Sequence, residues 1–465
     1  MKRGATILGI FTLLFFSFAH AQQRWERTYG GASDEDGRSV QQTQDGGYIV
    51  VGYTYSFGNE SQVYLIKTNA SGGILWTRNY GGASFDHGYS VQQTQDGGYI
   101  VAGYTYSFGN SWQVYLIKTN ASGDTLWTKT YGGANGDYGY SVQQTTDGGY
   151  IIAGETWLVM GIAQVYLVKT NVSGGTLWTR IYVDTTGYNA GNSVQQTSDG
   201  GYIIAGTYDY GGANPQVYLI KTNASGDTLW SRTYGGTNWD KGYSVQQTSD
   251  GGYIIGGFTS SFGAGSYDVY LIKTNATGDT LWTRTYGGTG DDGGYSVQQT
   301  QDGGYIVAGW NNSFGNGAQV YLVKTDASGD TLWTRNYGGT DYDYGRSVQQ
   351  TTDGGYVIAG QTNSFGNSTQ VYLVKTDANG NVGVETPVRQ LDGSTVRQLK
   401  ATPNPFTSFA TLPGHEGERF SLYDVSGRRV GTYRGDRVGE GLAPGVYFLR
   451  EKKGSEAPVR VVKIR

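Results

Sequence analysis

The pentapeptide Ser-Val-Gln-Gln-Thr recurs seven times along the 465-residue chain and limits the folds that this chain can adopt. Its Val falls at positions 40, 91, 142, 194, 245, 297 and 348, in steps of 51 or 52 residues. A tryptophan follows the same period, at positions 25, 76, 127, 178, 230, 282 and 333. A fixed period of this length indicates several copies of one supersecondary unit that pack against each other.

Each repeat is expected to form four short strands. In the first repeat these are Ser39–Thr43, Tyr48–Tyr53, Val63–Thr68 and Leu75–Arg78. The intervening segments are rich in Gly and Asn, which suits tight hairpin turns. The pattern predicts an all-β fold, a seven-bladed β-propeller of four-stranded blades over residues 22–384. An open β-solenoid is the alternative, but solenoid coils are shorter and contain fewer strands.

The two ends of the repeat region indicate how the ring closes. The strand that carries Trp25 precedes the first repeat, whereas the last repeat has Val384 where its tryptophan is expected. We therefore predict that the Trp25 strand completes the last blade. This pairing removes two exposed sheet edges, which would otherwise invite aggregation.

The segment Asp326-Ala-Ser-Gly-Asp-Thr-Leu-Trp333 resembles the tryptophan-docking motif of pyrroloquinoline-quinone propellers. In that family the Gly forms a turn and the Trp packs between adjacent blades. The enzymes of that family typically carry a vicinal cysteine pair, and this chain has no Cys, so no cofactor is expected. The period of about 50 residues also resembles that of kelch propellers.

The N-terminus has the layout of a secretory signal peptide. Lys2 and Arg3 precede an apolar stretch from Ile7 to Phe18, and Ala19-His20-Ala21 is a small-residue cleavage pattern. We predict that residues 1–21 are a signal peptide. The apolar run is too short to span a bilayer, and the mature chain is expected to contain no transmembrane segment.

The C-terminal region differs in composition from the repeats. Thr402-Pro-Asn-Pro-Phe406 is followed by Phe420–Val430, Gly441–Phe448 and the terminal Val461–Arg465. This order resembles the type A sorting domain of the type IX secretion system of Gram-negative bacteria. The resemblance implies that residues 401–465 form a small Ig-like β-sandwich after a linker at 385–400. It further implies export through the type IX machinery and a secreted or cell-surface location. An ordinary Ig-like accessory module is the alternative.

Charge excludes one class of partner. Residues 400–465 carry a net charge of +5, whereas residues 4–399 carry −11. A body this acidic lacks the basic footprint that nucleic-acid binding requires. The repeats contain a single histidine, His87, so neither a histidine-based metal site nor a catalytic triad is expected.

One face of the predicted propeller carries the irregular residues. An acid, or in the fourth repeat an amide, recurs two residues before a Gly in the loop that leads into each repeat. This ring of six acids and one amide has two interpretations. The side chains either cap loop N–H groups or bind a cation or sugar hydroxyls. The ring consists of Glu35, Asp86, Asp137, Asn189, Asp240, Asp292 and Asp343. Aromatic residues that break the repeat fall on the same face: Trp112, Trp157, Trp239, Trp310 and Tyr210.

Three functions are compatible with this pattern. The first is a binding or interaction propeller whose ligand is a polysaccharide or a surface protein, contacted by the four tryptophans and the acidic ring. The second is an endoglucanase-like glycoside hydrolase, for which Glu155 and Asp209 are the candidate carboxylates because they depart from their repeat. The third is a structural adhesion or surface-layer component. Near-identical repeats favour the first and third, because catalysis demands local asymmetry.

Overall fold

The computed structural model describes residues 24–58, 60–158, 161–182, 187–209, 214–315, 317–383, 388–390, 407–412, 417, 419–424, 428–451 and 459–463. The predicted signal peptide, most of the predicted linker, Val384, Tyr210 and the segment 402–406 lie outside these residues. The chain divides into two compact units, residues 1–391 and 392–465. In the described ranges every regular element is a strand, and no helix there has the length and apolar character needed to cross a membrane.

The first unit repeats one antiparallel sheet of four consecutive strands, in chain order. Sheet 1 contains β2 (Glu35–Gln42), β3 (Tyr48–Thr54), β4 (Gln62–Thr68) and β5 (Ile74–Tyr80). Sheet 2 contains β6 (Asp86–Gln93), β7 (Tyr99–Thr105), β8 (Gln113–Thr119) and β9 (Thr125–Tyr131). Sheet 3 contains β10 (Asp137–Gln144), β11 (Tyr150–Trp157), β12 (Ala163–Thr170) and β13 (Thr176–Tyr182). The repeat predicted from the sequence is therefore also the structural repeat.

Three more sheets follow the same plan. Sheet 4 contains β14 (Asn189–Gln196), β15 (Tyr202–Tyr208), β16 (Gln216–Thr222) and β17 (Thr228–Tyr234). Sheet 5 contains β18 (Asp240–Gln247), β19 (Tyr253–Thr259), β20 (Asp268–Thr274) and β21 (Thr280–Tyr286). Sheet 6 contains β22 (Asp292–Gln299), β23 (Tyr305–Asn311), β24 (Gln319–Thr325) and β25 (Thr331–Tyr337).

Sheet 7 joins the two ends of the repeat region. It contains β26 (Asp343–Gln350), β27 (Tyr356–Thr362) and β28 (Gln370–Thr376), and its fourth strand is β1 (Trp25–Tyr29). β1 runs antiparallel to β28, with Trp25 opposite Lys375 and Tyr29 opposite Val371. The prediction that the Trp25 strand completes the last sheet is confirmed. A short strand, β29 (Val388–Gln390), pairs in parallel with the outer edge of β1.

The first strand of each sheet is longer than the sequence predicted. We expected Ser39–Thr43, but β2 extends from Glu35 to Gln42. The additional residues remain paired with β3 because a bulge between Gly37 and Ser39 absorbs one residue. The opposing Gly52 is required there, since a Cβ on it would lie 1.7 Å from the Asp36 carbonyl oxygen.

The core lies between successive sheets. The second and third strands are almost entirely buried, as in β3 and β4, so both faces of each sheet are covered. One cluster combines Val50 and Ile66 of sheet 1 with Val357 and Leu373 of sheet 7, and Trp25 belongs to it. Equivalent clusters join sheets 1 and 2 and the later pairs. The sheets therefore form a propeller-like ring.

The recurring tryptophan docks on a turn of the next sheet, as its motif predicted. A Cβ on Gly123 of sheet 2 would lie 2.8 Å from the Trp76 ring, which explains why this turn contains Gly. Tyr80 donates its hydroxyl to the Gly123 carbonyl at 2.6 Å. The same pairs recur around the ring, including Trp25 and Tyr29 of sheet 7 on Gly72 of sheet 1.

The first strands line the axis of the ring. Gln93 of sheet 2 donates its backbone N–H to the Gln41 side chain of sheet 1 at 2.5 Å, and the link repeats between successive sheets. Gln42 of sheet 1 and Gln349 of sheet 7 close the circle at 2.6 Å. A cavity of about 270 Å³ on the axis is lined by one Val and one Gln from each of the seven sheets.

The second unit contains one antiparallel sheet among its described residues, with strand order β31, β30, β32, β33. The strands are β30 (Arg419–Asp424), β31 (Arg429–Arg434), β32 (Gly445–Glu451) and β33 (Val459–Lys463). Ala410 forms a bridge with Val438, and both pack on Phe420, Leu422 and Leu449. The Ig-like sandwich remains a prediction for this unit.

Candidate ligand-binding site

Two kinds of loop meet on one face of the first unit, which we call the loop face. They are the loops that lead into each first strand and the loops between second and third strands. Asp137, at the start of β10, donates its backbone N–H to the Trp112 carbonyl of sheet 2 at 2.9 Å. Asp86 makes the same bond to Ser61 of sheet 1. The loop face is therefore continuous from one sheet to the next.

The predicted acidic ring is present, but its side chains are buried. Asp86, Asp137, Asp240, Asp292 and Asp343 are each at most 1% exposed. Each accepts a bond of 2.7–2.9 Å from the backbone N–H of a loop Gly four residues earlier. Four of them also accept a Ser hydroxyl from the loop between second and third strands, at positions 107, 261, 313 and 364. These contacts match the capping interpretation.

Burial also affects the charge of the ring. It raises the pKa of Asp86, Asp137 and Asp343, while hydrogen bonds from Thr, Ser and Gly donors oppose the rise. Among the described residues no group of three or more His, Asp or Glu side chains has the geometry to hold a metal ion. The structure thus uses these aspartates to hold loops together. A role for them in ligand binding stays a prediction.

Trp112 and Trp157, which the sequence placed in adjacent repeats, lie on the same cavity. Its volume is about 450 Å³, and Tyr138, Asn135, Gly136, Leu158 and Gly161 complete its lining. The Trp112 ring is stacked with Tyr138, with ring centroids 5.9 Å apart and planes at 29°. Tyr104 and Tyr106 support Trp112 from other sides, with centroids 5.2 Å and 5.1 Å away. The cavity therefore has aromatic walls that neighbouring rings hold in place.

Glu155 supports the second tryptophan of this cavity. It is 3% exposed, and its Oε1 accepts the Trp157 indole N–H at 3.0 Å. Its Oε2 accepts a short hydrogen bond from the Tyr188 hydroxyl. Burial raises the pKa of Glu155, and the bonds from Tyr188 and Trp157 oppose that rise. Both carboxylate oxygens are thus engaged by protein donors.

The remaining candidates lie elsewhere on the loop face. The Lys241 ammonium lies 5.5 Å from the ring centroid of Trp239, which is 47% exposed. Burial lowers the pKa of Lys241, and the carboxylates of Asp209 and Glu155 oppose this. Trp310 packs with its ring centroid 6.1 Å from that of Tyr344. Neither Trp239 nor Trp310 lines the cavity of Trp112 and Trp157.

His87 is a packed side chain. Its ring stacks on Tyr53 with centroids 4.0 Å apart, and its nitrogens bond to the hydroxyls of Ser61 and Tyr104 at 2.7 Å and 2.9 Å. Burial, and then the charge of Arg38, lower the pKa of His87 to about 4. The imidazole is therefore neutral near pH 7. His87 lies in strand β6 and is paired with Tyr104, so an interpretation of this position as loop variation is wrong.

The sequence prediction missed a ring of side chains two residues before the Val of each pentapeptide. We call it the inner ring; it consists of Arg38, Tyr89, Tyr140, Asn192, Tyr243, Tyr295 and Arg346. Neighbouring members touch, as shown by ring centroid distances of 5.3 Å for Tyr89–Tyr140 and 5.1 Å for Tyr243–Tyr295. The variation of this position within an otherwise invariant segment of the repeat could have revealed the inner ring.

Comparison with known proteins gives distant similarity. No family model matches the chain. The regulatory protein FlaEY of Caulobacter vibrioides is 26% identical over 114 residues, a match that covers 22% of this chain and 12% of that protein. Function is therefore inferred from the site itself.

Solved structures resemble the chain with low identity. Sqt1 from Chaetomium thermophilum has a TM-score of 0.45 and 10% identity, covering 96% of this chain and 100% of that one. The Pan2 WD40 domain of Neurospora crassa has a TM-score of 0.43 and 10% identity, covering 78% and 92%. A protein of unknown function from Dyadobacter fermentans has a TM-score of 0.43 and 11% identity, covering 76% and 98%.

Proposed function

We propose that this chain is a seven-bladed β-propeller that binds a polysaccharide on its loop face. The observation that carries the proposal is the cavity between Trp112, Tyr138 and Trp157. Its volume of about 450 Å³ lies within the range of small-ligand sites. These aromatic residues break the repeat, so the sheets themselves do not require them.

The chemistry of the cavity suits a sugar ring. Sugars present apolar C–H patches that stack on aromatic faces, while their hydroxyls need placed polar groups. Trp112 and Tyr138 supply a stacked aromatic wall, and the exposed Asn135 supplies an amide. Glu155 fixes the Trp157 indole through its N–H, so this wall is ordered before a ligand arrives.

Substitution of Trp112 tests the proposal. We expect Trp112→Ala to reduce polysaccharide affinity at least tenfold, because the variant loses the larger part of the stacking wall. Trp239→Ala is the matched control, since Trp239 is an exposed tryptophan of the loop face outside the cavity. Binding is measured by affinity electrophoresis on a panel of polysaccharides, with melting temperatures for both variants.

Three results would contradict the proposal. They are equal affinity of Trp112→Ala and wild type, an equal loss in the Trp239→Ala control, and no glycan binding by the wild type. The third result would favour the interpretation as a structural adhesion or surface-layer component.

Glycan hydrolysis is the alternative activity, and the buried Glu155 with its raised pKa favours it. Hydrolysis requires a carboxylate pair about 5–10 Å apart across the bond that is cut. Because Trp157 and Tyr188 engage both oxygens of Glu155, we propose that it positions the wall and that the ligand is bound without turnover. Release of reducing sugars by the wild type and not by Glu155→Gln would establish the hydrolase instead.

We further propose that the second unit directs export through the type IX system to the cell surface. The proposal is supported by the motif order from Thr402 to Arg465 and by the division of the chain into two compact units at residues 391 and 392. A chain that ends at Leu391 should keep the melting temperature of the first unit and remain in the periplasm of a type IX-competent host. Surface display of the shortened chain, tested by protease accessibility on intact cells, would defeat this assignment.

A further inference from the structure

The inner ring contains two arginines at equivalent positions of neighbouring sheets. Arg38 belongs to sheet 1 and Arg346 to sheet 7. The side chains around them differ, although the backbone repeats. The neighbours of Arg38 can therefore be compared with those of Arg346 within one molecule.

Arg38 has its own counter-charge. Its Nη2 lies 2.7 Å from Asp36 Oδ2, and Asp36 is 2% exposed. Burial would lower the pKa of Arg38, but the charge of Asp36 and the effects of Tyr89 and Tyr53 together raise it. The rings of Tyr53 and Tyr89 lie 5.5 Å and 5.0 Å from the guanidinium. The positive charge of Arg38 is thus paired with a carboxylate of the protein.

Arg346 has the aromatic neighbours without the carboxylate. Its guanidinium carbon lies 4.4 Å from the ring centroid of Tyr295 and 5.2 Å from that of Tyr344. The position equivalent to Asp36 is occupied by Tyr344 itself. No carboxylate of the described residues lies within 4.0 Å of this guanidinium, and this absence is what distinguishes it, since the Nε atoms of Arg346 and Arg38 are both buried without a hydrogen-bond partner. A half-buried cation of this kind has lost hydration that no protein anion replaces.

We propose that Arg346, with Tyr295 and Tyr344, receives an anionic group of the ligand, and that the bound polysaccharide is acidic and contains uronic acid residues. This inference rests on the proposed polysaccharide function. A guanidinium pairs with a carboxylate in bidentate fashion, and the flanking phenol rings offer a stacking surface for the sugar that carries it. The net charge of −11 on residues 4–399 repels polyanions in general. Binding of an acidic polysaccharide therefore requires a local cationic site such as Arg346.

Matched polymers test the inference. Polygalacturonate, the same polymer after reduction of its carboxyl groups and a sulfated galactan are compared by titration calorimetry with wild type and Arg346→Gln. We expect wild type to bind polygalacturonate at least tenfold more tightly than the reduced polymer. Arg346→Gln should lose that preference, with an unchanged affinity for the reduced polymer and an unchanged melting temperature. Tighter binding of the sulfated galactan would assign the anion as a sulfate ester rather than a carboxylate and would overturn the uronic acid assignment.

The outcomes separate this inference from the proposed function. Equal binding of acidic and reduced polymers, or an Arg346→Gln variant that keeps the preference, overturns the anion site and leaves polysaccharide binding intact. If no polymer binds, the proposed function fails. Crystals soaked with sodium galacturonate then decide the anion site alone: density at the Arg346 guanidinium supports it, and its absence there overturns it. Arg346→Lys serves as the conservative variant and should keep part of the preference, because it retains the charge without the bidentate geometry.

Discussion

Removal of the strand Trp25–Tyr29 is expected to abolish cooperative folding of the first unit at 37 °C. Trp25 and Tyr29 are 3% and 1% exposed, and each contacts Gly72 of sheet 1 from sheet 7. Large aromatic side chains bury about 150–250 Å² each, so the loss is roughly 5 kcal/mol or more. That is comparable with the whole stability of an ordinary domain, about 5–15 kcal/mol. The deletion also exposes the edge of β28, whose side chains are all buried.

Thermal unfolding of the deleted and complete chains measures this effect. A synthetic peptide of residues 24–30 supplied in excess is the control, since it can restore the pairing with β28 without a covalent link. We expect partial recovery of the melting temperature with the peptide, and none with a peptide in which Trp25 and Tyr29 are replaced by Ala. An unchanged melting temperature in the deleted chain would contradict closure of the ring through β1.

Loss of one turn aspartate should cost about 2–3 kcal/mol, because it removes the nearest counter-charge of a buried ammonium group. Lys375 is 1% exposed, and its Nζ lies 2.9 Å from Asp353 Oδ2 and donates to the Thr376 carbonyl at 2.8 Å. This free-energy cost is below the roughly 3–5 kcal/mol of a fully buried pair, since the Asp353 side chain is 21% exposed. The change to test is Asp353→Ala, by chemical denaturation.

Two further variants show whether the unpaired charge of Lys375 causes the loss of stability in Asp353→Ala. Lys375→Met combined with Asp353→Ala should recover part of the loss, since no uncompensated charge remains. Asp330→Ala breaks the exposed pair with Arg284 and should change the free energy of unfolding by less than about 1 kcal/mol. A cost for Asp353→Ala no greater than that of Asp330→Ala would contradict the assignment.

Acid titration provides an independent readout of the same pairs. Burial alone would raise the pKa values of Asp96, Asp199 and Asp250, but bonds from a Thr hydroxyl and a Lys ammonium lower them to about 2. Because these pKa values are below those of the unfolded chain, the stabilisation is complete above about pH 4 and is lost as the pH falls towards 2. As the pH falls from about 4 to 2, the free energy of unfolding of the Asp353→Ala variant should decrease by less than that of the wild type.

The fold was predictable because its information is local and repeated. A period of 51 or 52 residues, four strand segments per period and a surplus strand at Trp25 together determine the sheets and their closure. The turn aspartates stabilise their turns, as shown by Asp45, which accepts the Gly47 N–H at 3.0 Å. The buried partner Lys67 was not foreseen, since a lysine within an apolar strand gives no sign of which turn it will meet.

The site was harder to predict, because its parts come together only when the ring forms. Trp112 and Trp157 stood out as departures from the repeat, and they line one cavity. Glu155 was considered for catalysis, whereas its two oxygens hold Trp157 and Tyr188. The inner ring was missed because its members are separated by a full repeat, and only closure brings Arg346 beside the tyrosines of neighbouring sheets.

A crystal structure of the first unit with a bound oligosaccharide shows whether the cavity of Trp112 and Trp157 is the binding site. The oligosaccharide is a fragment of whichever polymer binds the wild type most tightly in the panel. We expect density for a sugar ring stacked between Trp112 and Tyr138 on one side and Trp157 on the other, with a hydroxyl on Asn135. Density for the sugar at another surface, with the cavity of Trp112 and Trp157 occupied by water alone, would contradict it.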